Sequence, residues 1–173
     1  MLRPAIDADR DLMLAWRNHP DVRALSLTRH VISPAEHAAW WDRTLADPTR
    51  RVLVYERYEV PSGAVTFFDR DAAEGSAWWG YYLDVAGLAA RGALMPAWIS
   101  IVREALRYAV EEMALTVLYG EVLEANEAVR SFNRRNGIRE VDSYSRDVDG
   151  RSETVIRLEF RATDLRRPAG ASR

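Results

Sequence analysis

The spacing of apolar residues changes period repeatedly along this chain, and that succession restricts the fold more than any other feature. Leu2–Ile6 can form a short strand. Leu12, Leu14, Ala15 and Trp16 then suit one side of a helix, which Asp7 or Asp9 can cap and which ends before Asn18-His19-Pro20. Ser33-Pro34-Ala35-Glu36 opens a second helix: Ser33 and Glu36 make a capping box, and proline takes the first helical position. From Arg51 the pattern becomes that of strands. RVLVYE (51–56) and GAVTFFD (63–69) read as two, joined by a turn through Val60-Pro61-Ser62, and WWGYYLD (78–84) as a third.

Helical spacing returns from about Leu94 to Met113, where Trp98, Val102, Ala105, Leu106 and Ala109 share a stripe. Thr116–Leu123 is strand, and Asn126–Asn136 is helix, with Asn126 as cap and Gly137 as stop. Arg139–Val148 and Arg151–Phe160 flank Asp149-Gly150, a strong hairpin signal. This order predicts one α+β domain over residues 1–160, with helices on both faces of a single sheet. Residues 161–173 (RATDLRRPAGASR) lose the apolar pattern and are expected to form a flexible C-terminal tail.

Composition removes several chemistries. All 24 residues of the Lys+Arg total are arginine, and cysteine and glutamine are also absent. Without lysine there is no Schiff base and no phosphate-loop lysine. Without cysteine there is no thiol catalysis, disulfide or Cys-containing zinc site, which suits a cytoplasmic location. His19, His30 and His37 lack metal-ligand spacing, so no metal is expected. A net charge of −2 argues against a nucleic-acid partner. No apolar run reaches the roughly 18 residues of a membrane span. Met1-Leu2-Arg3-Pro4 leads straight into the folded pattern, so no signal peptide is expected.

Three segments carry a family resemblance: WRNHPDVR (16–23), ISPAEHAAW (32–40) and GEVLEANEAVRSF (120–132). With the element order, they resemble the GNAT superfamily of acyl-CoA-dependent N-acetyltransferases. Within it they resemble the branch that acetylates nucleotide-linked 4-amino sugars, near the enzymes that acetylate N-termini of ribosomal proteins. The resemblance implies one mixed, mostly antiparallel sheet of about six or seven strands whose central strands splay apart. It implies acetyl-CoA as cosubstrate and direct transfer to the primary amine of a small molecule, most simply an amino sugar. A homodimer is compatible with it. The alternatives are a protein N-terminal acetyltransferase and a non-catalytic acyl-CoA-binding module.

The resemblance also implies a site. The CoA pyrophosphate would sit where the strand ending at Asp84 meets the long helix, on helix N–H groups and without lysine. Leu83, Val85, Gly87, Arg91, Gly92 and Ala93 are the candidates there, although the usual glycine-rich loop is degenerate and about seven residues longer. Seven residues are near two helical turns, so an N-terminally extended helix is expected. Asn126 would bond the pantetheine arm. Asn133 stands where many relatives have a tyrosine acid; an amide can hydrogen-bond the sulfur but cannot give up a proton. Glu121 is the candidate general base. Arg17, His37, Trp40, Trp78 and Tyr81 are the candidate acceptor-binding residues. Within Trp40-Trp41 and Trp78-Trp79, neighbouring rings cannot both point one way.

Overall fold

Alternation within each strand sorts the side chains onto two faces of one sheet. The computed structural model describes residues 1–165. Its strands are β1 (Leu2–Pro4), β2 (Arg51–Arg57), β3 (Val60–Asp71), β4 (Ser76–Leu83), β5 (Val117–Leu123), β6 (Arg139–Val148) and β7 (Arg151–Arg161). They form a 7-stranded sheet in the order β1-β2-β3-β4-β5-β7-β6. Every neighbouring pair is antiparallel except β4–β5. The helices are α1 (Arg10–Arg17), α2 (Pro20–Ala24), α3 (Pro34–Ala46), α4 (Val85–Ala90), α5 (Leu94–Glu111) and α6 (Glu127–Arg135).

One face, built from Leu53, Tyr55, Val65, Phe67, Trp79, Leu118, Ile156 and their neighbours, packs against α5. Ala97, Ala105 and Ala109 among the buried positions of α5 let the helix lie close to the sheet. The other face presents Val52, Val54 and Ala64 to Met13 and Trp16 of α1 and to Trp41 of α3. Gly63 permits tight packing between β3, β4 and α5. A Cβ there would lie 2.7 Å from the Tyr82 carbonyl oxygen and 2.9 Å from Leu83 Cδ2. The chain start is fastened by charge: buried Asp9 accepts from both terminal nitrogens of Arg3 at 2.7 and 2.9 Å and from the Ile6 N–H at 2.9 Å. Arg3 Nε also reaches Glu56 of β2 at 2.6 Å.

Four expectations change. The β2–β3 hairpin turns at Tyr58-Glu59, both left-handed at φ 52° and 62°, so Val60-Pro61-Ser62 belong to β3. Asn18-His19-Pro20 leads into the short helix α2, which His19 caps by accepting the Asp21 N–H. The long helix is not extended; a separate helix, α4, precedes it. Asp84 caps α4 through the Gly87 N–H, and Gly92, at φ 62°, ends it. Ala93 N–H bonds the Leu88 carbonyl and Gly92 N–H the Ala89 carbonyl, which is a Schellman stop. Finally, β7 runs through Arg161, and the turn after it is tied by Arg139–Asp164 at 2.7 Å and by Leu165 on the core. Residues 166–173 of the expected tail lie outside the described residues.

Candidate active site

The site begins where two parallel strands part. β4 and β5 pair only at Ser76–Val117, Ala77–Leu118 and Trp78–Tyr119. Beyond that point β4 follows β3 as far as Leu83–Gly63, and β5 follows β7 as far as Leu123–Val155. The edge of β4 from Trp79 to Leu83 therefore faces a wedge with no strand to accept its backbone hydrogen bonds.

The α5 side of the wedge is aromatic and packed. Trp79 stacks on Tyr81 at 5.5 Å, Trp98 Nε1 donates to the Tyr81 hydroxyl at 2.6 Å, and Trp98 lies 4.8 Å from Phe132 of α6. Burial pushes the Tyr81 hydroxyl up to about 12, and the Trp98 bond only partly offsets this. Tyr81 thus sits on the α5 face and not beside Trp78. Asn126 caps α6 through the Val129 N–H at 3.3 Å. Asn133, seven residues and about two turns further on, is 3% exposed, and its Oδ1 is buried with no partner. A buried amide oxygen without a donor is costly in an otherwise satisfied interior. The unpaired strand edge and this orphan oxygen suit the amide-bearing arm of an acyl-CoA.

The segment expected to hold phosphates is built differently. Gly87 lacks a Cβ because one would come within 2.0 Å of the Asp84 carboxylate that caps α4. Arg91, Gly92 and Ala93 donate their N–H groups to Leu88 and Ala89 carbonyls, so these donors are not free for a phosphate. The Arg91 guanidinium turns back to Ser62 Oγ at 3.3 Å and Asp84 at 3.8 Å. Leu83 is buried in the core, and Val85 opens α4. At the start of α5, where neither Leu94 nor Met95 N–H has a backbone partner among the described residues, two donors remain at the positive end of an 18-residue helix.

The opposite face carries the acceptor candidates. Along β4 it presents Trp78, Gly80 and Tyr82. A Cβ on Gly80 would meet nothing within 4 Å, so Gly80 is the floor of an open cleft with an aromatic wall at each end. Glu121 of β5 stands on the same face across the splay. Its carboxylate accepts from the Tyr144 hydroxyl and lies 3.4 Å from Arg146, both on β6. Desolvation, and then Glu121 itself, raises the Tyr144 pKa. Arg157 of β7 pairs across from Glu121 and places its guanidinium 5.0 Å from the ring centres of both Trp78 and Tyr119.

At the Tyr82 end, Arg17 donates to the Thr28 carbonyl at 3.0 Å, while its Nη1 is buried without a partner. Desolvation lowers its pKa, with the Tyr82 hydroxyl acting in the opposite sense. The chain between α2 and α3 bridges to the β6–β7 hairpin: Arg29 bonds Asp149 through its N–H and Glu153 through its side chain at 2.8 Å. Leu27 packs there on Leu123, Val148 and Val155.

Arg17, Trp78 and Glu121 therefore share one face of the sheet around Gly80, while Asn126 caps α6 and Asn133 lies on it. His37 lies apart from the cleft, while Trp40 packs with Tyr82 on the cluster between α1, α3 and the sheet. His37 is 4% exposed and stacks on Trp40 at 5.2 Å in the α1–α3 layer, where burial and then Arg10 lower its pKa. Arg10 begins α1 and Arg17 ends it, about 10 Å apart along an eight-residue helix. Within each tryptophan pair the rings do diverge: Trp41 and Trp79 are buried, while Trp40 and Trp78 are half-buried. Sequence reasoning missed Gly80, Tyr144, Arg146 and Arg157. The polar alternation of β6 and β7 gave no sign of them until the register placed β7 between β5 and β6.

A family model described as an acetyltransferase (GNAT) domain matches residues 1–139, and the chain belongs to that family. It is a GNAT-type N-acetyltransferase that uses acetyl-CoA as cosubstrate. No curated protein sequence matches it. Among solved structures, the spermidine N-acetyltransferase from Vibrio cholerae in complex with CoA and spermine is similar at TM-score 0.79 and 16% identity, covering 95% of this chain and 96% of that one. A point mutant of the Vibrio cholerae enzyme, SpeG, gives TM-score 0.75 and 17% identity over 95% of this chain and 96% of that one. A structure provisionally described as a phosphinothricin N-acetyltransferase gives 0.75 and 19%, over 94% and 98%. At these identities the likeness is one of fold. No helix among the described residues is long and apolar enough to cross a membrane.

Proposed function

We propose that this enzyme acetylates the primary amine of an amino sugar, most simply a nucleotide-linked one, by direct transfer in a ternary complex. The observation that carries this reading is the cleft over Gly80, where Glu121 faces an open floor and the partly unpartnered guanidinium of Arg17 closes one end. Acetyl-CoA, when bound, supplies the thioester carbonyl to be attacked. Leu94 and Met95 N–H groups would bind its phosphates, and the β4 edge, Asn126 and Asn133 its pantetheine arm. Glu121, held by Tyr144, accepts the ammonium proton and leaves a neutral nucleophile. Asn133 can donate a hydrogen bond to the departing sulfur, whose thiol pKa of roughly 8.5 makes a strong acid unnecessary near neutral pH.

Trp78 and Tyr82 offer faces against which a sugar ring can pack, and Arg17 matches the phosphoryl oxygens of a nucleotide. The bridge from Arg29 to Asp149 and Glu153 narrows this side of the cleft, which favours a compact acceptor over an extended peptide. The test is acetyl-CoA consumption with free and nucleotide-linked amino sugars. The wild type should acetylate the nucleotide-linked sugar, and Glu121→Gln should lower kcat/KM by about 10²–10⁴-fold. Arg17→Met should raise KM for the nucleotide-linked sugar alone. Transfer to a peptide N-terminus but to no amino sugar would replace this acceptor with the protein N-terminal one.

A further inference from the structure

The cleft has a second cation with no acid to balance it. Arg157 lies at the Trp78 end, opposite Arg17, and enters no ion pair among the described residues; its Nε is buried without a hydrogen-bond partner. Two carboxylates stand across from it in register, Glu121 on β5 and Asp142 on β6. Glu121 is engaged by Tyr144 and Arg146, and Asp142 Oδ1 accepts the Ser143 N–H. The rings of Trp78 and Tyr119, 5.5 Å apart, hold the guanidinium by cation–π attraction and leave its outer N–H edge unused. A planar fork immobilised in this way is suited to bidentate recognition of a carboxylate or phosphoryl group. Gly80 lies two residues along the strand from Trp78, about 7 Å, so an anion held here lies only a few bonds from an amine placed over Gly80.

The geometry points to Arg157 as an acceptor-anion subsite: the fragment that carries the amine also carries a carboxylate or phosphoryl group, and polyamines are excluded. This rests on the acceptor cleft proposed above. It adds a requirement on the sugar or amino-acid fragment itself, apart from any nucleotide phosphates near Arg17. An arginine cluster that attracts anions repels a cationic amine by the same field, so selectivity arises from both signs.

Calorimetric titration of the full chain separates this inference from the catalytic one. The probes are glucosamine 6-phosphate, L-glutamate, uncharged N-acetylglucosamine and spermidine, against wild type and Arg157→Met, which keeps the stem over the two rings. In the wild type at least one of the two anionic amines should bind at least tenfold more tightly than N-acetylglucosamine or spermidine, and which one does so distinguishes phosphoryl from carboxylate. Arg157→Met should erase that preference, and Arg157→Gln should restore only part of it. Tighter binding of spermidine than of both anionic amines, no measurable binding of either, or a preference that survives Arg157→Met would each overturn the subsite. Acetyl-CoA turnover is then measured separately on the same panel. Failure of turnover with anion-selective binding intact would leave Arg157 as a subsite and count against the amino-sugar transfer alone.

Discussion

Gly80 offers a perturbation that separates catalysis from stability. A methyl group placed there meets no protein atom within 4 Å, and its backbone is not in the left-handed region. Folding should therefore tolerate Gly80→Ala. Loss of glycine freedom in the unfolded chain should even add about 0.4–1 kcal/mol. For a chain of this size that corresponds to a rise in Tm of about 1–4 °C. The same methyl stands about 1.5 Å above the cleft floor. Displacing an acceptor by about 1 Å from its attack geometry can cost about 10²-fold, equivalent to about 2.7 kcal/mol of transition-state stabilisation. Gly80→Ala should therefore lower kcat/KM by about 10²-fold, and Gly80→Val further, while both melt at or above the wild-type temperature. Thermal unfolding and initial rates of thiol release measure the two quantities on the same samples. A kcat/KM within threefold of wild type in Gly80→Val would place the chemistry elsewhere. A Tm loss beyond 5 °C would show that the space above Gly80 is not open.

Asp9→Asn should destabilise the protein by about 3 kcal/mol at pH 7, because Arg3 then loses its bidentate partner. The Arg3 side chain, against the opposing effect of burial, lowers the Asp9 pKa. Its contribution is therefore complete above the unfolded value near 3.9 and lost as pH falls through the lower folded one; urea melts of both proteins should converge in that acid range. Gly63→Ala should cost about 2–3 kcal/mol, since the new Cβ meets the Tyr82 carbonyl at 2.7 Å, and a Tm loss of roughly 5–10 °C would register it. Asn133→Ala removes a side chain whose Oδ1 makes no bond, so the melting free energy should move by less than about 1 kcal/mol. If Asn133 serves the cosubstrate, KM for acetyl-CoA should rise about 2–12-fold, the worth of one hydrogen bond.

Local chemistry made much of the fold legible. Ser33-Pro34 and Asn126 mark helix starts because their side chains or ring act within a single turn, and Asp149-Gly150 marks its hairpin because both residues take positive φ, 51° and 78°. The misreadings arose where tertiary contacts outweigh local preference. Tyr58-Glu59 holds a left-handed turn without glycine or asparagine; a register shift at Tyr55/Glu56 advances the turn, while Gly63 is needed against β4. Helix α4 has a single fully buried apolar anchor, Leu88, so six residues gave no period to detect. The resemblance correctly implied splayed central strands. Tyr144 and Arg157 were not legible because they depend on β7 inserting between β5 and β6, a fact of register rather than of spacing.

That insertion has a consequence for the order of assembly. Strands β1 to β4 are consecutive in the chain and neighbours in the sheet, so they can zip up as the chain emerges. β5 then joins them through only three residue pairs, and its far edge is covered by β7, the last strand among the described residues. Until residues 151–161 arrive, β5 has almost no hydrogen-bonded support, and Glu121 lacks the β6 partners that β7 brings alongside it. The wedge for the cosubstrate is thus the last feature to exist during synthesis, and a chain truncated before β7 should retain its first four strands but have no site.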